Sequence, residues 1–146
     1  MSNKVIKFEI VTPERSVLKE EVSQVTVPTA MGEITVLPDH IPLVAILEPG
    51  VIEAKRENGD IEVMSVSGGF LEVLKGKIVV LADTAERAHE IDVQRAEEAR
   101  DRAEDLKKSE IRFDQKRFAE LSSLIAKEMA RTRAAKKYRK LQNLGD

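Results

Sequence analysis

The chain has 146 residues, which suits one medium domain or a compact domain of about 85 residues with an appendage. Charged residues make up 34% and aromatic residues 3%, with no Trp, so a large aromatic-lined ligand pocket and base-stacking platforms for single-stranded nucleic acid are disfavoured. With no cysteine there are no disulfides and no thiolate metal sites, and the net charge of -2 conceals two unlike halves.

Residues 1–85 carry 8 basic and 13 acidic side chains, whereas residues 86–146 carry 16 basic and 13 acidic ones. The first part also holds all five prolines and six of the seven glycines. Between residues 127 and 140 seven basic groups face Glu128 alone, a distribution suited to an acidic partner surface. The first ten residues include charges and no apolar core of a secretory signal, and no apolar run reaches the roughly 20 residues of a membrane span.

Residues 4–11 alternate Val5, Phe8 and Ile10 with Lys4, Lys7 and Glu9, predicting a half-buried strand stopped by Thr12-Pro13. Residues 16–19 and 22–27 follow as strands, the second punctuated by Pro28. Residues 32–37 make another, closed by a turn at residues 38–41. Residues 44–47 run to the turn Glu48-Pro49-Gly50, and residues 51–56 pair back through the hairpin dipeptide Asn58-Gly59. Residues 61–66, 70–74 and 77–82 complete nine strands, separated by Gly68-Gly69 and Lys75-Gly76. Intervals this short leave no room for crossover helices, so the expected unit is an antiparallel β-sandwich or barrel with a small aliphatic core.

Strand alternation stops at Asp83, and helical spacing is expected from Glu86 onward. Residues 86–108 contain no Pro or Gly, and Ala96, Ala99, Ala103 and Leu106 form a thin apolar stripe. Methyl groups bury little area, and at about 25 cal/mol per Å² such a helix docks weakly. A break is expected at residues 109–114, with Asp114 as N-cap of a second helix reaching about Leu141. Its stripe reads Phe118, Leu121, Ile125, Met129, Thr132, Ala135 and Tyr138. The fold class is therefore α+β: a sandwich over residues 1–85 and a two-helix hairpin over residues 86–146.

No nucleophile elbow, phosphate-binding loop or zinc-protease motif is present, and there are only two histidines. Gly68-Gly69 leads into another strand, so it reads as a turn and not as a phosphate cradle. His40 sits in a Pro-flanked turn without a second ligand, and His89 reads as a solvated residue near a helix start. In Ile91-Asp92-Val93-Gln94-Arg95-Ala96, a carboxylate stands beside guanidinium donors on one helical turn, with Arg102 two turns on. Such a set could suit an exocyclic amine and phosphate oxygens, but from the residues alone it reads as a surface ion-pair face.

Four blocks then resemble one family across nearly the whole chain. They are Gly32-Glu33-Ile34-Thr35-Val36-Leu37-Pro38-Asp39-His40-Ile41-Pro42-Leu43, Glu48-Pro49-Gly50, Val66-Ser67-Gly68-Gly69-Phe70-Leu71-Glu72-Val73 and Ile91-Asp92-Val93-Gln94-Arg95-Ala96. In this order they resemble the epsilon subunit of bacterial F-type (rotary) ATP synthases. The resemblance implies a ten-stranded sandwich binding the gamma subunit and the c-subunit ring, with Glu33 and His40 as contact positions.

It also implies a non-catalytic rotor subunit of the central stalk of a proton-translocating complex. Such a subunit would be peripheral at the cytoplasmic face of the cell membrane, touching the membrane only through the complex. The helical hairpin would inhibit ATP hydrolysis when extended toward the beta and alpha subunits of the head, the basic run meeting an acidic region of beta. ATP, as a regulatory ligand at Glu86, Ile91, Asp92, Arg95, Ala96 and Arg102, would favour the folded hairpin, with Arg131 and Arg133 as candidate phosphate clamps. The rival readings are a free-standing ATP-sensing module and a nucleic-acid binder. A basic run confined to one helix end speaks against the latter.

Overall fold

The computed structural model describes residues 4–110 and 115–144. Ten strands come first: β1 (Ile6–Val11), β2 (Ser16–Val22), β3 (Gln24–Thr29), β4 (Gly32–Val36), β5 (Leu43–Leu47), β6 (Gly50–Lys55), β7 (Ile61–Val66), β8 (Gly69–Leu74), β9 (Lys77–Ala82) and β10 (Ala85–Arg87). A 3₁₀ turn (Ala88–Glu90) then leads to α1 (Val93–Glu110) and α2 (Gln115–Leu144). Of the expected break, residues 111–114 lie outside the described residues, as does the proposed capping role of Asp114.

The strands form one sheet folded on itself, in the order β10-β7-β6-β3-β5-β8-β9-β1-β2, with β4 attached to β3. Alternate residues point inward, as the period of a strand demands, and Ile6, Phe8, Ile10, Val25, Val27, Ile52, Met64, Leu71, Ile78 and Val80 meet in one core. The antiparallel expectation holds at every pairing except one. β1 pairs parallel with β9, Phe8 opposite Ile78 and Ile10 opposite Val80. That pair joins strands far apart in sequence, and turn spacing between neighbours carries no information about it.

Pro28, expected to end a strand, lies inside β3 opposite Glu33. It is accommodated because β3 changes partners there: Gln24, Val25 and Thr26 pair with β6, whereas Thr29 pairs with β5. The missing N–H falls at this handover, while the Pro28 carbonyl accepts from the Glu48 N–H at 3.0 Å. The Asn58-Gly59 turn is present, with Gly59 at φ 95° and its N–H bonded to the Arg56 carbonyl at 2.9 Å.

Helical spacing begins at Val93 and not at Glu86. Glu86 belongs to β10, opposite Ser65 of β7, because the chain adds one more edge strand before it turns. The hairpin is folded down on the sandwich. α2 packs on β6 and β7, and α1 packs on α2. A small second core of Val63, Ala88, Ile91, Ala134 and Ala135, flanked by Val51, Ile61, Val93, Tyr138 and Leu141, seals this contact.

Of the predicted stripes, Ala96 and Ala103 of α1 and Leu121, Thr132 and Ala135 of α2 are buried, whereas Leu106 and Met129 are exposed. Glu128, Ala130 and Ala134 are buried outside the predicted stripe. An inner helix has two partners, α1 on one side and the sheet on the other, so a single stripe undercounts its buried positions.

Candidate functional site

The joint between the sandwich and the hairpin forms an open groove of about 650 Å³, lined by Glu86, Glu90, Asp92, Arg95, Glu98, Ala99, Arg102 and Arg131. Asp92 is the N-cap of α1. Its Oδ1 accepts from the Arg95 N–H at 3.1 Å and its carbonyl oxygen accepts from the Ala96 N–H at 3.1 Å. The cap fixes the start of α1, and helical spacing then sets Arg95, Ala99 and Arg102 along one groove wall.

Ile91 and Ala96, two further positions of the motif, are buried and pack. Ile91 joins the small core between hairpin and sheet, and the Ala96 methyl group is wholly enclosed. The structure therefore gathers Glu86, Asp92, Arg95 and Arg102 at one groove and assigns Ile91 and Ala96 to its support.

The opposite wall comes from α2. Arg131 forks onto Glu86, its Nε 2.6 Å from Oε2 and its Nη2 3.2 Å from Oε1. Its Nη1 donates to Oε2 of Glu128 at 2.8 Å. Burial works to lower the Arg131 pKa, but the hydrogen bonds it donates to Glu86 and then Glu128 outweigh it, and the net shift is upward. The guanidinium itself therefore stays charged at all ordinary pH values, and its own titration would remove its contribution only in strong alkali. By contrast, the guanidinium groups of Arg95 and Arg102 have no ion-pair partner among the described residues.

Arg133 is exposed and does not line the groove. Glu90, Glu98 and Ala99 do line it although sequence reasoning passed over them. Glu98 and Ala99 stand three and four residues after Arg95, so helical spacing was an available signal for both. Glu128 carried a similar signal, three residues before Arg131.

Two further ion pairs involve α2: Lys137 Nζ to Glu53 Oε2 of β6 at 2.7 Å, which holds the hairpin to the sandwich, and Lys136 Nζ to Glu97 Oε1 of α1 at 3.7 Å, which joins the two helices. Thus three of the seven basic residues between 127 and 140 are engaged within the folded molecule. His89, expected to be solvated, stacks obliquely near Tyr138 of α2, ring centroids 6.0 Å apart, while remaining half-exposed. His40 Nδ1 lies 2.6 Å from the Ile41 carbonyl oxygen, a local bond within its turn. Among the described residues no cluster of three or more His, Cys, Asp or Glu side chains has the geometry to hold a metal ion. No described helix is long and apolar enough to cross a membrane.

The opposite side of the sandwich carries an apolar row. Ile46 of β5 lies opposite Phe70 of β8, which lies opposite Leu81 of β9. They are 58%, 54% and 47% exposed, and nearby Val44 is 71% exposed. Large apolar side chains aligned across three strands mark a surface made to be covered.

Residues 5–88 match the family model of the ATP synthase delta/epsilon chain beta-sandwich domain. The chain is 44% identical over 135 residues to the ATP synthase epsilon chain of Dehalococcoides mccartyi, covering 92% of this chain and 95% of that one. It is 50% identical over 105 residues to the epsilon chain of Pelotomaculum thermopropionicum, covering 72% and 78%. A chain in the Euglena gracilis mitochondrial ATP synthase OSCP/F1/c-ring structure shares the fold, with a TM-score of 0.77 at 23% identity over 89% of this chain and 81% of that one. With a sandwich-domain match over more than half its length and relatives aligned nearly end to end, the chain belongs to the ATP synthase delta/epsilon chain family.

Proposed function

We propose that the protein is a non-catalytic rotor subunit of an F-type ATP synthase, joining the gamma subunit to the c-subunit ring and restraining ATP hydrolysis through its C-terminal helices. The observation that carries this reading is the exposed row Ile46, Phe70 and Leu81, a face with the chemistry of an interface and no cover among the described residues. A free-standing ATP-sensing module would have no use for such a face.

The gamma subunit is the partner assigned to the row and to His40, and the position of Glu33 is assigned to the c ring. The subunit then sits at the cytoplasmic face of the membrane, peripheral and attached only through its complex.

Three of the seven basic residues between 127 and 140 have two alternative sets of partners. In the folded hairpin Arg131, Lys136 and Lys137 engage carboxylates of the chain itself. In an extended hairpin they would be available to acidic surfaces of the beta and alpha subunits. Neutralising Lys127, Arg133, Arg139 and Lys140, which leaves those internal pairs intact, is expected to weaken inhibition of hydrolysis and reduce its salt dependence.

The groove is assigned to ATP as a regulatory ligand. Its donor set fits: Arg95 and Arg102 offer open guanidinium groups to phosphate oxygens, and Asp92 offers an acceptor to an exocyclic amine. Because its walls come from both the joint and α2, a ligand there would favour the folded hairpin by mass action.

The decisive experiment is co-purification with the gamma subunit. The wild-type chain is expected to co-purify stably, and Phe70→Asp to lose the complex while keeping its own fold. Retention by Phe70→Asp and by the double variant Ile46→Asp/Leu81→Asp would rule the face out.

A further inference from the structure

Arg95 and Arg102 present open guanidinium groups to the groove, but Arg131, the one cation that α2 contributes to its lining, is already held by two carboxylates. Both sides of its fork are taken, Nε and Nη2 by Glu86 and Nη1 by Glu128. The two carboxylates differ in kind. Glu128 is buried on the same helix and keeps its partner wherever α2 goes, whereas Glu86 is about one-third exposed and belongs to β10. The Glu86 pair is therefore the one that joins α2 to the sandwich, and it is the one open to exchange.

A carboxylate forked onto a guanidinium makes the same two parallel N–H···O bonds that a phosphate would make. We propose that Glu86 occupies the phosphate position on Arg131, so that the chain carries its own anionic stopper, and that a polyphosphate ligand must displace Glu86 to reach α2. This inference rests on the reading of the groove as a nucleotide site. It gives Glu86 a role distinct from ligand recognition: it lowers the affinity of the groove and latches the hairpin without ligand.

Charge around the groove points the same way. Its lining holds Glu86, Glu90, Asp92 and Glu98 against Arg95, Arg102 and Arg131, an excess of one negative charge. Removing any of these carboxylates would favour an anion slightly through the general field. Only removal of Glu86 would also release a guanidinium fork, and that difference separates direct competition from simple charge.

The test measures calorimetric binding of ATP and of inorganic tripolyphosphate to the full-length chain, comparing wild type with Glu86→Gln and Glu90→Gln. Glu86→Gln is expected to bind tripolyphosphate about tenfold more tightly or better, the scale of one charge-assisted bond released. Glu90→Gln is expected to change affinity by less than about threefold, as an exposed charge acting through solvent. Adding Arg131→Gln to Glu86→Gln should abolish the gain, with amide exchange of the sandwich confirming that the double variant is folded.

Equal gains in Glu86→Gln and Glu90→Gln would overturn the competition, as would weaker binding in Glu86→Gln. If wild type binds ATP in an Arg95-dependent way and Glu86→Gln gains nothing, the stopper fails while the nucleotide reading stands. Should neither ligand bind wild type or Glu86→Gln, both readings fail together.

Discussion

The sandwich and the hairpin are held by different forces. Inside the sandwich, Phe8, Ile10, Ile52, Met64, Leu71 and Ile78 are almost wholly buried against one another, and dispersion and burial dominate. Between hairpin and sandwich the buried residues are Val63, Ala88, Ile91, Ala134 and Ala135, three of them alanines, supplemented by the ion pairs of Arg131 and Lys137. The lesson is a difference in attachment: the sandwich is held by its own aliphatic core, and the hairpin docks on it through a smaller, alanine-rich contact and ion pairs.

The most damaging change should fall in the sandwich. Gly69 has φ 134°, and a Cβ there would run into the Leu81 carbonyl oxygen and come within 2.9 Å of the Ala82 Cα. Gly69→Ala, like Phe8→Ala, should cost about 3–5 kcal/mol of global stability in urea unfolding. If either opened only the hairpin, the proposed hierarchy would be wrong.

Next comes Arg131→Gln, which leaves Glu128 buried beside a neutral group and removes the fork to Glu86. A loss of about 2 kcal/mol is expected. It should appear as faster amide exchange in α1 and α2 with little change in the sandwich. Uniform acceleration across both regions would erase the distinction between them.

Asp92→Ala should cost about 1 kcal/mol by removing the N-cap, read as fraying of the first turn of α1. The smallest effect is expected from Lys137→Gln, whose pair with Glu53 is partly exposed. About 0.5 kcal/mol or less of hairpin docking should be lost, and the deficit should vanish at high salt.

The sandwich was largely legible because strand alternation and turn chemistry are local signals. Asn58-Gly59 and Gly68-Gly69 mark turns wherever they occur, and Val25 and Val27 announce their burial by spacing alone. The parallel pairing of β1 with β9 was not legible, since it depends on how a finished sheet closes. Nor was the strand at Ala85–Arg87: three residues are too few to show a period, and Glu86 looks like the start of a charged helix.

At the groove, the helical spacing of Arg95 and Arg102 was visible, and the resemblance named Glu86, Asp92 and Arg131 as candidates. What could not be read was that Glu86 and Arg131, 45 residues apart, would bond to each other. Asp92 looked like a ligand-binding carboxylate and is also a helix cap. One residue type at one spacing served two kinds of chemistry, and only geometry separated them.

The parallel closure has a consequence for the order in which the molecule is made. β1 leaves the ribosome well before β9, so it has no inner neighbour until β9 is synthesised, and β2 covers only its other edge. The sandwich must therefore wait for residue 82, but it need not wait for any of α2, which begins at Gln115. A growing chain presents a completed β6–β7 surface before the helix that docks on it exists. The docking helix is thus added to a platform that is already finished.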